Sequence, residues 1–311
     1  MLGRHELPQQ CILGMSDPQD EVAVELYGLS TPRDVTNRHT LACAAPFAVC
    51  VRLESGLEQR LREARRLSLH FRDRDSQRLL GELRLLFSGI VHFDDQEAYC
   101  FTVSRCRNYC LPQAQLWLRY LHGGYVRWRR PPYMRLASND IRAMPIFFIC
   151  PRPVGLVSVG AKVGNLFPMN LMGSLGERHF GFALNSTRTS ASLVKRAGQL
   201  ALSDVPLSQA SLARELGKNH RKEFIDWHDL PLDTRPSKKL GLPVPSFSLR
   251  VREMEVITSR EMGSHTFFLA HILEDEYCAD GLQFFMVHGI YQAWREKHRG
   301  GEQAFDNVPA L

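Results

Sequence analysis

The sequence lacks any apolar run approaching the roughly 18 residues of a membrane helix, and its start, MLGRHELPQQCILGMSDPQDE, lacks the apolar stretch of a secretory signal. No Cys-x-x-Cys pair occurs among its eight cysteines. The group Cys100, Cys106 and Cys110, with His92 nearby, does not meet zinc-site spacing. Several cysteines lie in apolar, strand-like runs, so reduced buried thiols in a cytoplasmic protein are expected, with no metal. There is no Gly-x-Gly-x-x-Gly, and strands come in clusters rather than alternating with helices, which argues against a Rossmann domain. A Gly-x-x-x-x-Gly-Lys-Ser/Thr phosphate loop is missing too. Ser158 sits outside any Gly-x-Ser-x-Gly, and no internal repeat or low-complexity tract is found.

What is present suits a folded, soluble chain. Of 311 residues, 44% are hydrophobic and 23% charged, enough apolar material for a full core without metals or disulfides, and the length predicts two domains. The net charge of +6 fits an anionic ligand. It does not make a nucleic-acid surface, because 33 acidic residues offset most of the 39 basic ones. The basic strip Arg127-Trp128-Arg129-Arg130 is too short for such a surface and reads as a solvated edge or a domain-crossing segment.

Along the chain, residues 1–20 read as a loose arm, and Val22–Tyr27 as a first strand. Leu41–Leu53 is an extended run interrupted by Pro46. Leu57, Leu61 and Ala64 give a short helix. Leu67–Phe71, Leu79–Phe87, Ile90–Phe93 and Tyr99–Val103 are further strands. Pro112–Leu121 predicts a helix ended by Gly123-Gly124. Asp94, Asp95 and Glu97 read as a turn more cheaply than as a metal site. Pro131-Pro132 and Ser138-Asn139-Asp140 mark a domain boundary near 130–143.

Beyond it come Ile146–Ile149 and Val154–Val159, apolar runs suited to strands buried on both faces. A Gly164-Asn165 turn, a strand at Phe180–Leu184 and a helix capped by Thr189 or Ser190 follow. That helix is closed by Gly198. A second helix opens at Ser208 and closes at Gly217. Residues 218–245 form a long excursion of the kind used as a lid or interface arm. Within it, His220, Asp226 and His228 are candidates for a hydrogen-bonded cluster. Closing strands run through Phe247–Ile257, Thr266–Leu273 and Phe284–Val287, and a helix through Ile290–Arg299.

The most informative stretch is 146–192. A helix start offers unpaired N–H groups and partial positive charge to an anion. Thr187, Thr189 and Ser190 add hydroxyls, and Arg188 adds a fork of donors matched to phosphate. Taken alone, this is also what a capped surface helix with a stray arginine looks like. Asn165, Pro168, Met169, Asn170, Leu171 and Met172 form a kinked segment able to lay peptide groups and apolar side chains against a flat ring; for the methionines the alternative is core packing.

Four pieces in order resemble the flavin reductase-like, FMN-binding split-barrel family over about 144–291. They are Pro151-Arg152-Pro153-Val154 with Leu156-Val157-Ser158, Gly164–Asn170, Asn185–Ser190, and Gly263-Ser264-His265-Thr266. In the last, Ser264 stands where the family has an acid. The resemblance implies a mainly β fold with a few helices: a Greek-key split β-barrel at 140–299, preceded by a smaller α+β domain at 1–135 and followed by a tail at 300–311. It implies FMN or FAD held by Asn165, Pro168–Met172 and Asn185, Ser186, Thr187, Arg188, Thr189 and Ser190, with His265 near the reacting ring. It further implies NADH or NADPH as co-substrate, a homodimer with flavin at the interface, and a small electron acceptor or a partner oxygenase. The alternative for His265 is a satisfied strand histidine. The alternative for the whole is a non-catalytic flavin-binding or assembly protein that keeps the barrel.

Overall fold

A computed structural model describes residues 10–93, 96–128, 137–299 and 305–308. Asp94, Asp95, the Arg129-Arg130-Pro131-Pro132 segment and the first nine residues lie outside them. In chain order the N-terminal half contains β1 Gln10–Met15, β2 Val22–Tyr27, β3 Arg33–Asp34, β4 His39–Ala44, β5 Phe47–Leu53, α1 Glu58–Glu63, β6 Leu67–Asp73, β7 Leu79–Phe93 and β8 Gln96–Asn108. Helices α2 Gln113–Trp128 and α3 Ser138–Phe147 follow. Then come β9 Arg152–Pro153, β10 Gly155–Val159, β11 Asn165–Met169, β12 Met172–Ser174, β13 His179–Asn185, α4 Thr189–Ala197, β14 Gln199–Asp204 and α5 Ala210–Glu215. The chain closes through β15 Thr234–Pro236, β16 Pro243–Pro245, β17 Arg250–Glu261, β18 His265–Tyr277, β19 Gln283–His288, α6 Gly289–Arg299 and β20 Phe305–Val308.

The C-terminal strands form a seven-stranded antiparallel sheet in the order β11-β10-β14-β17-β18-β13-β12, the split barrel. Strand alternation explains the unbroken apolar runs that feed it. On β10, Val157 and Val159 enter the barrel core with Phe167, Phe182, Leu202 and Phe268, while Leu156 enters a second core shared with β1, β2, α3 and α6. On β18, Phe268 and Ala270 face the barrel, whereas Phe267 and Leu269 pack with Ala42, Cys50 and Cys100 of the N-terminal half. That half has its own seven-stranded sheet, in the order β3-β2-β6-β7-β8-β5-β4.

Several local expectations change. The supposed loose arm contains β1, which pairs with β19 from Gln10↔His288 to Met15↔Gln283 and buries Cys11, Ile12 and Leu13. Ile146 and Phe147 end a helix instead of starting a strand; a short apolar run buried on all sides carries no period to separate the two. α2 runs through Gly123-Gly124 to Trp128, since a helix-interior glycine costs only about 1 kcal/mol. The turn at Leu216–Arg221 likewise continues through Gly217. The excursion after it is fastened down: Glu253 accepts from Ser237 Oγ at 2.6 Å and from the Lys239 amide at 2.8 Å. Among the described residues no helix is long and apolar enough to cross a membrane. All eight cysteines are free, and six are buried.

Candidate functional site

The corner where β13 hands over to α4 is built by its own side chains. Asn185 Oδ1 accepts the Thr187 amide at 2.9 Å and the Thr187 hydroxyl at 2.7 Å, an Asx turn, and the Arg188 amide donates to the Asn185 carbonyl at 3.0 Å. The Ser186 amide donates to the Ser264 carbonyl at 3.0 Å, fixing the turn to β18. The cap position of α4 is Arg188, one residue earlier than expected, and it gives the helix no side-chain acceptor. Thr189 is the first helical residue, and its hydroxyl turns to the Arg221 carbonyl at 3.2 Å. Ser190 is buried, its hydroxyl 3.0 Å from His220 Nδ1. No side chain caps this helix start, and beside it lies a cleft of about 390 Å³ lined by Asn185, Thr187, Arg188, Thr189 and Arg221.

Behind this cleft the turn Leu216–Arg221 is fastened to β11. Asn219 Nδ2 donates to the Leu166 carbonyl at 2.9 Å, and Asn165 Nδ2 donates to the carbonyls of Asn219 at 3.0 Å and Lys222 at 2.7 Å. His220 Nε2 donates to the Pro168 carbonyl at 2.7 Å, which leaves Nδ1 to accept from Ser190. Burial pushes the His220 pKa down, and the nearby Arg188 charge adds to the effect, so the ring is neutral as this pattern requires. Arg221 and His220 were not singled out for this corner by sequence; the basic run Lys218-Asn219-His220-Arg221-Lys222 heading the excursion is the only signal for them.

The segment expected to face a ring divides. Met169 and Met172, 4% and 2% exposed, fill the barrel core. Asn165 is buried as well and spends its amide on the turn. Pro168 supplies its carbonyl to His220, Asn170 Nδ2 lies 3.6 Å from Met286 Sδ, and Leu171 packs at the edge of the shared core. Only Pro168, Asn170 and Leu171 are partly exposed.

His265 lies opposite Asn185 in the β13–β18 register but is only 9% exposed. Its Nδ1 is 2.8 Å from Ser264 Oγ and 3.5 Å from the Ala44 amide. Ser264 Oγ in turn accepts the Ala45 amide at 3.0 Å. Burial holds the His265 pKa down at about 4, so the ring is neutral near neutral pH. Asp226 Oδ1 accepts the His228 backbone amide at 2.9 Å; the exposed His228 ring does not join His220. A second cleft of about 640 Å³, sharing no residue with the first, opens between the β12–β13 turn and the N-terminal sheet, with Arg38, Arg52, Gln96 and Arg178 on its walls.

Residues 147–293 match the family described as flavin reductase like domain. The chain is similar to an FMN-binding protein from Thermus thermophilus, at 20% identity and a TM-score of 0.38, over 43% of this chain and 81% of that one. It is also similar to an NADH:FAD oxidoreductase of Streptomyces globisporus C-1027, at 18% identity and a TM-score of 0.43, over 51% and 95% of the two chains. A third is the flavin reductase component of a bacterial two-component tryptophan halogenase, at 19% identity and a TM-score of 0.42, over 49% and 94%. Comparison with curated proteins finds no match.

Proposed function

With residues 147–293 forming a flavin reductase-like domain as the premise, we propose that the protein is an NAD(P)H-dependent flavin oxidoreductase that holds the phosphate of FMN or FAD in the cleft at the start of α4. The observation that carries this reading is the pairing of Arg188 and Arg221 over an uncapped helix start. Each charge-assisted bond to phosphate contributes about 1.5–3 kcal/mol, so three or four supply much of the roughly 8 kcal/mol of a micromolar complex before ordering costs. The donor set fits a dianion: two guanidinium groups beside a helix start with no side-chain cap, and no carboxylate among the lining residues.

When bound, the flavin supplies the electron chemistry, taking hydride equivalents from NADH or NADPH and passing them to a flavin, a small acceptor or a partner oxygenase. The chain's own work is positional. Asn185 shapes the turn, the Ser190–His220–Pro168 relay holds the helix start against β11, and Pro168, Asn170 and Leu171 are the parts of the ring segment left accessible. The neutral His265 offers a hydrogen-bonding nitrogen, not a charge. A cytoplasmic location goes with this chemistry.

The test is to titrate the purified protein with FMN and FAD, then add NADH or NADPH without oxygen. Quenched flavin fluorescence followed by bleaching of the visible band is expected. Failure to bind either flavin removes the cofactor assignment. A second reading, a non-catalytic flavin-binding protein, is favoured by Ser264 in place of the family's acid and by the contacts of Ser264 and His265 with Ala44 and Ala45. It is the outcome if flavin binds and neither nucleotide bleaches it.

A further inference from the structure

The two seven-stranded sheets have the same connectivity. In the barrel, β10 pairs with β11 and β14, and pairing continues from β14 through β17, β18 and β13 to β12. In the N-terminal half, β2 pairs with β3 and β6, and pairing continues through β7, β8 and β5 to β4. Every pair is antiparallel, and each strand has a counterpart at the same place in its half. The helices correspond as well: α4 joins β13 to β14 as α1 joins β5 to β6.

The halves also meet through counterparts. β4 and β12 hold the same end position in their sheets, and they pack on each other. A Cβ on Gly173 would lie 2.9 Å from the His39 carbonyl, and Thr40 Oγ1 donates to the Gly181 carbonyl at 3.4 Å. Contact of a surface with its own counterpart is the mark of a two-fold interface between copies.

We propose that the N-terminal half is a second split barrel standing where a second subunit would stand, so that one chain forms the complete flavin site with a single working cradle. From this side the turn at Ala44–Ala45 reaches Ser264 and His265: the Ser264 amide donates to the Ala45 carbonyl at 2.8 Å, the Ala45 amide to Ser264 Oγ at 3.0 Å. The homodimer that the sequence suggests is in this way supplied within the chain. The flavin count rests on the function proposed above; the assembly does not.

The second corner is closed to anions by its own residues. Leu53 pairs with Glu97 as Asn185 pairs with His265, so the loop after Leu53 is the counterpart of the phosphate corner. There the Glu97 carboxylate accepts the Gly56 amide at 2.9 Å. The Tyr99 hydroxyl, itself donating to Glu97, accepts the Leu57 amide at 3.0 Å. The hydrogen bonds from Tyr99 and Gly56 hold the Glu97 carboxyl below its usual pKa, so a negative charge already occupies the place. α1 has six residues against nine in α4 and opens on Glu58. A phosphate entering here meets carboxylates and finds the amides taken.

The experiment is sedimentation equilibrium on the full chain, run with FMN and separately with FAD, counting bound flavin by absorbance over a hundredfold dilution. A mass of 35.5 kDa with one flavin per chain at every dilution is expected. Twice that mass, with flavin lost as the pair dissociates, overturns the inference. Two flavins per chain overturn the single cradle, pointing to the second corner or the arginine-lined cleft beside it. If neither flavin binds, the proposed function falls; the mass then still decides the assembly, one chain upholding it and two overturning it.

Discussion

The hydroxyl of Ser190 and Nδ1 of His220 are 3.0 Å apart, and this bond joins the first turn of α4 to the turn that carries Arg221. His220→Ala leaves the Ser190 hydroxyl and the Pro168 carbonyl without that partner, a loss of about 1–3 kcal/mol for buried groups. A lower urea midpoint and weaker FMN binding are expected. Because Ser190 acts through the same bond, the double variant with Ser190→Ala should be little worse than His220→Ala alone. Additive losses in a double-mutant cycle would show that the two residues act separately.

Arg188 and Arg221 face one cleft from different elements, so each should contribute to the same affinity. Arg188→Ala and Arg221→Ala are each expected to weaken FMN about 10- to 100-fold, the equivalent of one charge-assisted bond. Both side chains lie at the surface of the cleft, so thermal midpoints should stay close to that of the parent. Riboflavin, which has no phosphate, should bind equally to parent and variants. Equal losses for riboflavin and FMN would place the arginines elsewhere than on the phosphate.

The legible parts of the fold were those with a strong local period or an obligatory residue. Gly198 was readable as the end of α4, and it adopts φ +69°. Phe180–Leu184 was readable as a strand because both of its faces are buried. The corner between β13 and α4 was readable as a cluster of polar groups because Asn185–Ser190 are consecutive residues. Arg221 was not: it arrives from 33 residues beyond Arg188 through Asn165 and Asn219, a link that exists only once β11 is folded. The second barrel was invisible for a related reason. Connectivity is a property of strand pairing, and the paired positions carry unlike residues, Leu53 with Glu97 against Asn185 with His265.

Two histidines, the buried His265 and the half-buried His288, set a pH limit on stability. Burial holds both His265 and His288 at about 4, below their ordinary value of 6.5. The unfolded chain then binds more protons than the folded one between those limits, so acid favours unfolding. The stabilisation is complete above about pH 6.5 and is lost as pH falls toward 4, up to about 3 kcal/mol for each ring. Urea midpoints measured from pH 7.5 to 4.5 should fall steadily. His265→Gln should reduce that slope, and an unchanged slope would mean that the ring is accessible and titrates normally.

Glu21 tests how the C-terminal helix is fixed to the N-terminal sheet. Its buried carboxylate receives Arg295 Nη2 at 2.7 Å, Arg295 Nε at 2.9 Å and the Tyr291 hydroxyl at 3.0 Å. Glu21→Ala leaves a guanidinium and a phenol with no acidic partner in a largely desolvated place, a loss of about 3–5 kcal/mol. Replacing Glu21 by Gln keeps two acceptor lone pairs and should cost less. The cleft at the start of α4 shares no residue with this network, so on the proposed function FMN affinity measured in the folded range should hold for both variants while their urea midpoints drop. If affinity fell in step with stability, α6 and the sheet it braces would have to be part of the machinery that shapes the cleft.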